Sequence, residues 1–159
     1  MTEHPFPPLY DKNSKILILG SFPSVKSREQ MFFYGHPQNR FWKVISAVYG
    51  CDTPETVDEK REFLLNHKIA LWDVIASCEI EGSSDSSIKN VTANDISIIL
   101  DWADIKQIYV NGKTAEKYFK KYIEKSVGKA AVCLPSTSPA NAAWSSDRLV
   151  RAWQVIADE

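Results

Sequence analysis

Four short apolar runs, none of them strictly alternating with polar residues, constrain the fold of this chain most. They lie at 15–19, 69–75, 106–110 and 130–134. Strands of this kind are covered on both faces, as in a parallel sheet between helices. Helical spacing of apolar residues follows at 41–49, 54–66, 92–102, 113–125 and 144–157. The pattern predicts an α/β fold: a three-layer α/β/α sandwich with a central, mostly parallel four-stranded sheet, formed by residues 1–159 as a single domain.

Composition excludes several functional classes. The net charge of −1 argues against a nonspecific DNA coat, but it leaves room for an enzyme that contacts a few phosphates. The chain has neither an apolar run long enough to span a membrane nor a signal peptide, so we expect a cytoplasmic protein. The cysteines, Cys51, Cys78 and Cys133, are widely separated and odd in number. We therefore expect reduced structural thiols, with no metal and no other cofactor.

The segment from Gly20 to Trp42 follows the first predicted strand and combines six aromatic residues with one His and one Asn. Loops at the carboxyl ends of strands commonly bind ligands in α/β folds. Asn39, set among aromatics, needs a hydrogen-bond partner in the backbone, a ligand or water. Tyr34 and Phe33 offer flat faces for stacking a planar base. His36 could act as an acid or base, although a structural role within its own loop is favoured.

Other polar loops are expected at the same edge of the sheet. The Ser-rich stretch at 81–90 is a candidate for flexibility, and Asp73 and Asp85 are acidic candidates nearby. The hydroxyls of LPSTSPAN, at 134–141, suit phosphate oxygens, although a loop that merely caps the last helix would look similar. NGKTA, at 111–115, lacks the upstream Gly of a phosphate loop, which makes a nucleotide hydrolase a weak alternative.

Taken together, these motifs resemble the uracil-DNA glycosylase superfamily over nearly the whole chain. GSFPS at 20–24 occupies the place of the first active-site motif. HPQNRFWKV at 36–44 and the segment at 70–87 resemble the mismatch-specific uracil and thymine glycosylases. LPSTSPAN at 134–141 resembles the second motif, which inserts into DNA. Within the superfamily the resemblance is strongest to the DNA-deoxyinosine (hypoxanthine) glycosylase branch, which implies a monofunctional DNA N-glycosylase active in base excision repair.

One departure from the mismatch-specific pattern affects the predicted chemistry. Phe22 stands where those relatives carry the Asn that positions the attacking water, and an apolar ring cannot orient water. The resemblance to the hypoxanthine branch implies that Asn39 takes over as the catalytic residue. It also implies that Tyr34 stacks on the flipped base. The residues expected to bind the base are Ser21 and Phe22 through their backbone, with Tyr34 and His36.

The same resemblance assigns the DNA contacts. Ser136, Thr137 and Ser138 are expected to grip phosphates, and Ala140 and Asn141 lie where relatives place the wedge that fills the vacated stack. The expected partner is DNA containing deaminated bases, with no membrane and a monomer as the default. Two other functions stay open at this point: a mismatch-type uracil or thymine glycosylase, and a catalytically silent protein that binds damaged DNA.

Overall fold

Extended and helical segments alternate along the chain. The structure is a computed structural model and describes residues 1–158. Its strands are β1 Thr2–Glu3, β2 Ile16–Gly20, β3 Ile69–Asp73, β4 Ile75–Glu79, β5 Lys89–Ala93, β6 Gln107–Asn111 and β7 Ala131–Leu134. Its helices are α1 Val25–Gln30, α2 Phe41–Val48, α3 Val57–Asn66, α4 Ser97–Leu100, α5 Lys113–Tyr122, α6 Glu124–Val127 and α7 Ser146–Trp153. Short 3₁₀ turns lie at Asp85–Ser87 and Gln154–Asp158.

The main sheet has four strands in the order β3-β2-β6-β7, and each neighbouring pair is parallel. Every residue of β2 and β3 is buried, which explains why their sequences are apolar without alternation. The predicted α/β fold around a parallel four-stranded sheet is therefore confirmed. The register sets Gly20 beside Asp73 and Asn111 beside Leu134, so the carboxyl ends of the strands meet at one edge.

Local signals at two helix starts agree with the structure. The Thr56 side chain accepts from the backbone N–H of Glu59, whose carboxylate accepts from the N–H of Thr56, both at 3.0 Å. This capping box begins α3. At the start of α7 the Ser145 side chain accepts from the backbone N–H of Arg148 at 3.2 Å. Helices α2 and α7 then pack through Phe41 and Trp153, with ring centroids 5.8 Å apart. Both rings are fully buried, and each burial stabilises the fold by about 2–3 kcal/mol.

The prediction of a helix over residues 92–102 is largely wrong. Its first residues complete β5, which pairs antiparallel with β4, and α4 covers only four residues. Asn94, at the start of this segment, donates through Nδ2 to the carbonyl oxygens of Asp73 at 2.9 Å and Ile75 at 3.2 Å. These carbonyls follow the end of a buried strand and need donors. Tertiary hydrogen bonding therefore outweighs the helical spacing of this segment.

The N-terminal segment covers an edge of the molecule in a way that the apolar pattern does not predict. Strand β1 pairs with β4 in a second sheet of order β1-β4-β5, which is antiparallel. Leu9 exchanges two backbone hydrogen bonds with Leu71, at 2.9 and 3.0 Å, on the outer side of β3. This contact covers an edge that could otherwise pair with another chain. It also carries His4 to the end of β3.

Candidate active site

The carboxyl ends of β2, β3 and β6 open onto a cavity of about 460 Å³. In open α/β sheets, ligands bind at this edge, where the connections to neighbouring strands diverge. The polar loops expected from the sequence do meet there. The lining includes 20–24, 83–86 and 136–140, with Phe33, Tyr34, His36, Asn39, Asp73 and Asn111. Every site residue predicted from the sequence lies on this cavity except Asn141.

Asn39 has a side-chain oxygen that is already fully used inside the protein. Its Oδ1 accepts from the backbone N–H of Phe41 at 2.9 Å and from the hydroxyl of Thr137 at 2.9 Å. Because a backbone N–H can only donate, the atom facing it must be oxygen, and this settles the orientation of the amide. Nδ2 donates to none of the described residues. Asn39 therefore presents hydrogen-bond donors to the cavity that it lines.

Thr137 and Asn111 hold Asn39 in place. Asn111 Nδ2 donates to Thr137 Oγ1 at 3.0 Å and to Tyr34 Oη at 3.2 Å, while Asn111 Oδ1 accepts from the N–H of Thr137 at 3.1 Å. Thr137 has no exposed surface, so the prediction that its hydroxyl grips a phosphate is wrong. That hydroxyl accepts from Asn111 and donates to Asn39. A satisfied buried network of this kind preorganises the groups it contains.

Tyr34 lies on the cavity with one face of its ring covered. The ring stacks on Phe41, with centroids 4.1 Å apart and planes 16° from parallel. A flipped base could stack only on the opposite face. Burial raises the pKa of the Tyr34 hydroxyl far above its usual range, and the negative charge of Asp73 adds to this, while the hydrogen bond from Asn111 opposes it. The phenol therefore stays protonated.

The neighbouring rings of Phe22 and Phe33 belong to the core. Phe33 is 2% exposed and Phe22 8%. The Phe33 ring meets Phe6 edge-on at 4.8 Å, and the Phe22 ring lies perpendicular to that of His4 at 6.1 Å. The prediction that Phe33 stacks on a base is wrong, because core packing occupies its ring. The predicted contact of Phe22 with the base concerns its backbone and stays a prediction.

Strand β3 ends on Asp73, a carboxylate that lines the cavity although it is only 4% exposed. Its Oδ2 accepts from His4 Nε2 at 2.7 Å. Its Oδ1 lies against Gly20, where an added Cβ would clash with it and would also come within 2.9 Å of Tyr34 Oη. Only glycine permits this close approach between the ends of β2 and β3.

The turn before α2 presents Asn39 to the cavity. His36 Nδ1 accepts from the backbone N–H of Gln38 at 3.1 Å, and the His36 carbonyl accepts from the N–H of Asn39 at 3.0 Å. His36 therefore shapes its own loop, which is the role favoured from the sequence. It also lines the cavity, so its predicted contact with the base stays a prediction.

The Ser-rich loop at 81–87 forms another side of the cavity. Ser21 Oγ donates to Asp85 Oδ1 at 3.3 Å, and the backbone N–H of Val25 donates to Ser83 Oγ at 2.9 Å. Apart from Ser87, which is half-buried, the residues of this loop are exposed. Hydrogen bonds thus join the loop predicted as flexible to the first motif and to α1, where Arg28 also donates to the Gly82 carbonyl at 2.6 Å.

The loop predicted to contact DNA is cross-linked by its own polar groups. Ser136 Oγ accepts from the N–H of Ser138, and Ser138 Oγ accepts from the N–H of Ala140, both at 3.1 Å. Asn141 Nδ2 donates to the Ser136 carbonyl at 3.0 Å. Ala140 is left exposed at the tip. The phosphate contacts of Ser136 and Ser138 and the wedge role of Ala140 and Asn141 stay predictions.

Sequence reasoning missed Asn111 and Arg40. Asn111 directly follows a buried apolar run at the same edge as the other site residues, and that position could have identified it. The Arg40 guanidinium donates to the carbonyl oxygens of Trp144 and Asn141, which connects the Asn39 turn to the loop at 134–141 and the residues just after it. These partners lie more than a hundred positions away, so no local pattern could have indicated them.

The match to known proteins agrees with this arrangement. Residues 7–157 match the sequence profile of the Uracil DNA glycosylase superfamily. That span covers nearly the whole chain and every residue named on the cavity. The chain belongs to the uracil-DNA glycosylase superfamily, and the resemblance seen in its motifs is confirmed.

Two relatives and one solved structure are similar to this chain over most of its length. The chain is 38% identical to the Hypoxanthine DNA glycosylase of Methanosarcina barkeri over 143 residues, 89% of each protein. It is 35% identical to the Hypoxanthine DNA glycosylase of Methanosarcina acetivorans over 158 residues, 98% of each. It also matches the solution NMR structure of a candidate uracil DNA glycosylase from Methanosarcina acetivorans, with a TM-score of 0.81 and 33% identity, over 96% of this chain and 95% of that one.

Proposed function

We propose that this chain is a DNA-deoxyinosine glycosylase, which flips hypoxanthine out of DNA and hydrolyses its N-glycosidic bond. The observation that carries the proposal is the Asn39 amide, held by two internal donors with its Nδ2 on the cavity. The names of the two Methanosarcina relatives support the choice of base. Phe22, in the position of the water-binding amide of mismatch-specific relatives, supports it further.

The cavity suits a base that has left the helix stack. Its volume of about 460 Å³ lies within the range of small-molecule sites. Extruding a base costs least where pairing is already weak, as with a deaminated base opposite the wrong partner. In this proposal the free face of Tyr34 stacks on the extruded purine, and the backbone at Ser21 and Phe22 contacts its edge.

Asn39 acts on the reacting atoms through Nδ2. Cleavage of the N-glycosidic bond develops positive charge on the sugar and negative charge on the departing base. A water that accepts from Nδ2 with one lone pair keeps the other for the anomeric carbon. An oxocarbenium-like centre can capture such a water without a strong base beside it, and the proton that the water then loses passes to the departing base anion or to solvent. The chain offers no lysine at an evident nucleophile position, so the proposed enzyme is monofunctional.

The remaining assignments concern DNA and the cellular setting. Ser136 and Ser138 hold flanking phosphates, and Ala140 with Asn141 fills the vacated stack. Arg40 keeps that loop in register with Asn39 through the carbonyls it binds. No helix within residues 1–158 is both long and apolar enough to cross a membrane. The monomer and the cytoplasm stay predictions.

A base-release panel tests the proposal. Purified protein is incubated with duplexes that carry deoxyinosine, deoxyuridine, deoxyxanthosine or a G·T mismatch, and abasic sites are cleaved with alkali. We expect release from the deoxyinosine duplex to be fastest. Binding to each duplex is measured in parallel, so that weak association is not mistaken for weak chemistry.

Two results would overturn the proposal in different ways. Release from G·U but not from inosine pairs would make the chain a mismatch-type glycosylase. Tight binding to deoxyinosine DNA with no abasic product, unchanged by Asn39→Ala, would make it a silent binder of damaged DNA.

A further inference from the structure

We infer that His4, which directly follows strand β1, is a positioning residue. It donates to one oxygen of Asp73 and so holds the other in the base pocket, as an acceptor that selects bases with a ring N–H. This inference rests on the proposed function, because it concerns the base that the same cavity takes. It adds a residue from a part of the chain that no motif connects with the site.

The contact between His4 and Asp73 is buried and specific. The two side chains are 4% and 6% exposed, and His4 Nε2 lies 2.7 Å from Asp73 Oδ2. A carboxylate can only accept, so Nε2 carries the proton and donates it. His4 Nδ1 is buried and bonds to none of the described residues. The ring is therefore held on its Nε2 side by Asp73 and elsewhere by packing.

Aromatic rings keep His4 in this orientation. Phe6 packs against its edge at 4.5 Å between centroids, and Phe22 lies perpendicular to it at 6.1 Å. The ring that replaces the water-binding amide of relatives thus supports the histidine behind the pocket. A side chain restrained on several sides can fix the rotamer of its hydrogen-bond partner.

The second oxygen of Asp73 remains available in the cavity. Oδ1 lies over Gly20 and accepts from none of the described residues. Asp73 as a whole is 4% exposed and lines the cavity. A nearly buried acceptor without a donor is costly, and a ligand that supplies an N–H removes that cost.

Hypoxanthine carries such a donor, whereas adenine does not. Deamination of adenine replaces an exocyclic amine with an oxo group and places a hydrogen on the adjacent ring nitrogen, N1. An acceptor-only carboxylate pairs with that N1–H but repels the bare N1 lone pair of adenine. Pockets built around one required hydrogen bond reject analogues that lack the group far better than apolar pockets do. The His4 bond also draws negative charge toward Oδ2, which reduces repulsion with a base that departs carrying negative charge.

The test uses two purines that differ at the 6-oxo and N1–H groups. Single-turnover release is measured from duplexes containing deoxyinosine or deoxynebularine, whose base is unsubstituted purine with a bare N1. We expect the wild-type protein to prefer deoxyinosine. Asp73→Leu and His4→Phe should each reduce the ratio of the two rates about tenfold or more, because the first removes the acceptor and the second removes the donor that fixes it. His4→Gln, which can donate to the same oxygen, should restore part of the ratio.

Leu9→Ala serves as the control for loosening of the N-terminal segment. The Leu9 side chain is buried, and the structure records no contact between it and His4. Its truncation should lower the melting temperature through lost burial, while the backbone hydrogen bonds to Leu71 remain and the ratio of rates stays unchanged. A ratio that is lowered equally in Leu9→Ala and His4→Phe would overturn the positioning role. An unchanged ratio in Asp73→Leu, with deoxyinosine still excised, would overturn the acceptor role alone. Loss of all release by the wild-type protein would instead overturn the proposed function, and this inference with it.

Discussion

Two sides of the cavity are built in different ways. One, which we call the amide wall, consists of Tyr34, Asn39, Asn111 and Thr137, and hydrogen bonds of 2.9–3.2 Å join its side chains. The other, which we call the serine wall, is the loop at 81–87. Its residues are exposed apart from Ser87, and single polar contacts hold it to the first motif.

The firmly bonded amide wall and the exposed serine wall meet two different requirements of a base-excising enzyme. A group that acts in the transition state must be held within a fraction of an ångström, which buried and mutually satisfied bonds achieve. A pocket that receives an extruded nucleotide must also open, and segments with few buried contacts open most readily. We therefore assign the chemistry to the amide wall and the adjustment of the pocket to the serine wall.

Asn39→Asp is expected to have the largest effect. Aspartate has nearly the same size and keeps an oxygen for the N–H of Phe41 and the hydroxyl of Thr137, but it lacks the two Nδ2 hydrogens. Single-turnover release of hypoxanthine should fall about 10²-fold or more, as in Asn39→Ala, the scale expected for one transition-state contact. Gln38→Ala, an exposed neighbour in the same turn, should behave like the wild type.

The comparison of the two Asn39 variants decides how the amide acts. If Asn39→Asp retained wild-type activity while Asn39→Ala lost it, an acceptor would be sufficient at this position. The donor role assigned to Nδ2 would then be rejected, and the water would have to be held through oxygen.

Thr137→Val tests whether the amide wall acts as a unit. Valine keeps the shape but removes the hydroxyl that donates to Asn39 and accepts from Asn111. We expect about a tenfold loss in the single-turnover rate from misplacement of Asn39, and about 1–3 kcal/mol lower free energy of unfolding from the unpaired amide hydrogen. Thr137→Ser keeps the hydroxyl and should remain within about threefold of the wild type. Equal losses in both variants would indicate that packing, and not the hydrogen bond, matters here.

The sequence could predict the sheet and most of the cavity lining, because both depend on local patterns. Uninterrupted apolar runs mark buried strands, and polar loops after them mark the binding edge. Asn39 stood out as an amide among aromatics. The inward turn of Thr137 could not be predicted, because a run of hydroxyls does not indicate which of them points into the protein. The pairing of His4 with Asp73 spans 69 positions and depends on the fold alone.

The smallest expected effect concerns the serine wall and its dependence on pH. Loss of solvation where the Asp85 carboxyl faces Ser21 raises its pKa, with a further contribution from the charge of Asp73, while hydrogen bonds from Ser21 and Thr114 oppose the rise. The folded protein therefore holds this proton more tightly than the unfolded chain does. The resulting stabilisation is present at low pH and is lost as the pH rises through the carboxyl range. Asp85→Asn should therefore raise the free energy of unfolding near neutral pH, by no more than about 0.5 kcal/mol because the loop is exposed.

Asp95→Asn provides a control of opposite sign. Hydrogen bonds from the hydroxyl and the backbone N–H of Ser97 lower the pKa of Asp95, so its ionised form favours the folded state. Its replacement should lower the melting temperature near neutral pH, and the two variants should converge on the wild type as the carboxyls become protonated below about pH 4. Melting curves recorded from neutral pH down to this acidic range measure the effects of both variants. If Asp85→Asn were destabilising near neutral pH, its charge would support the fold, and the serine wall would be held as firmly as the amide wall.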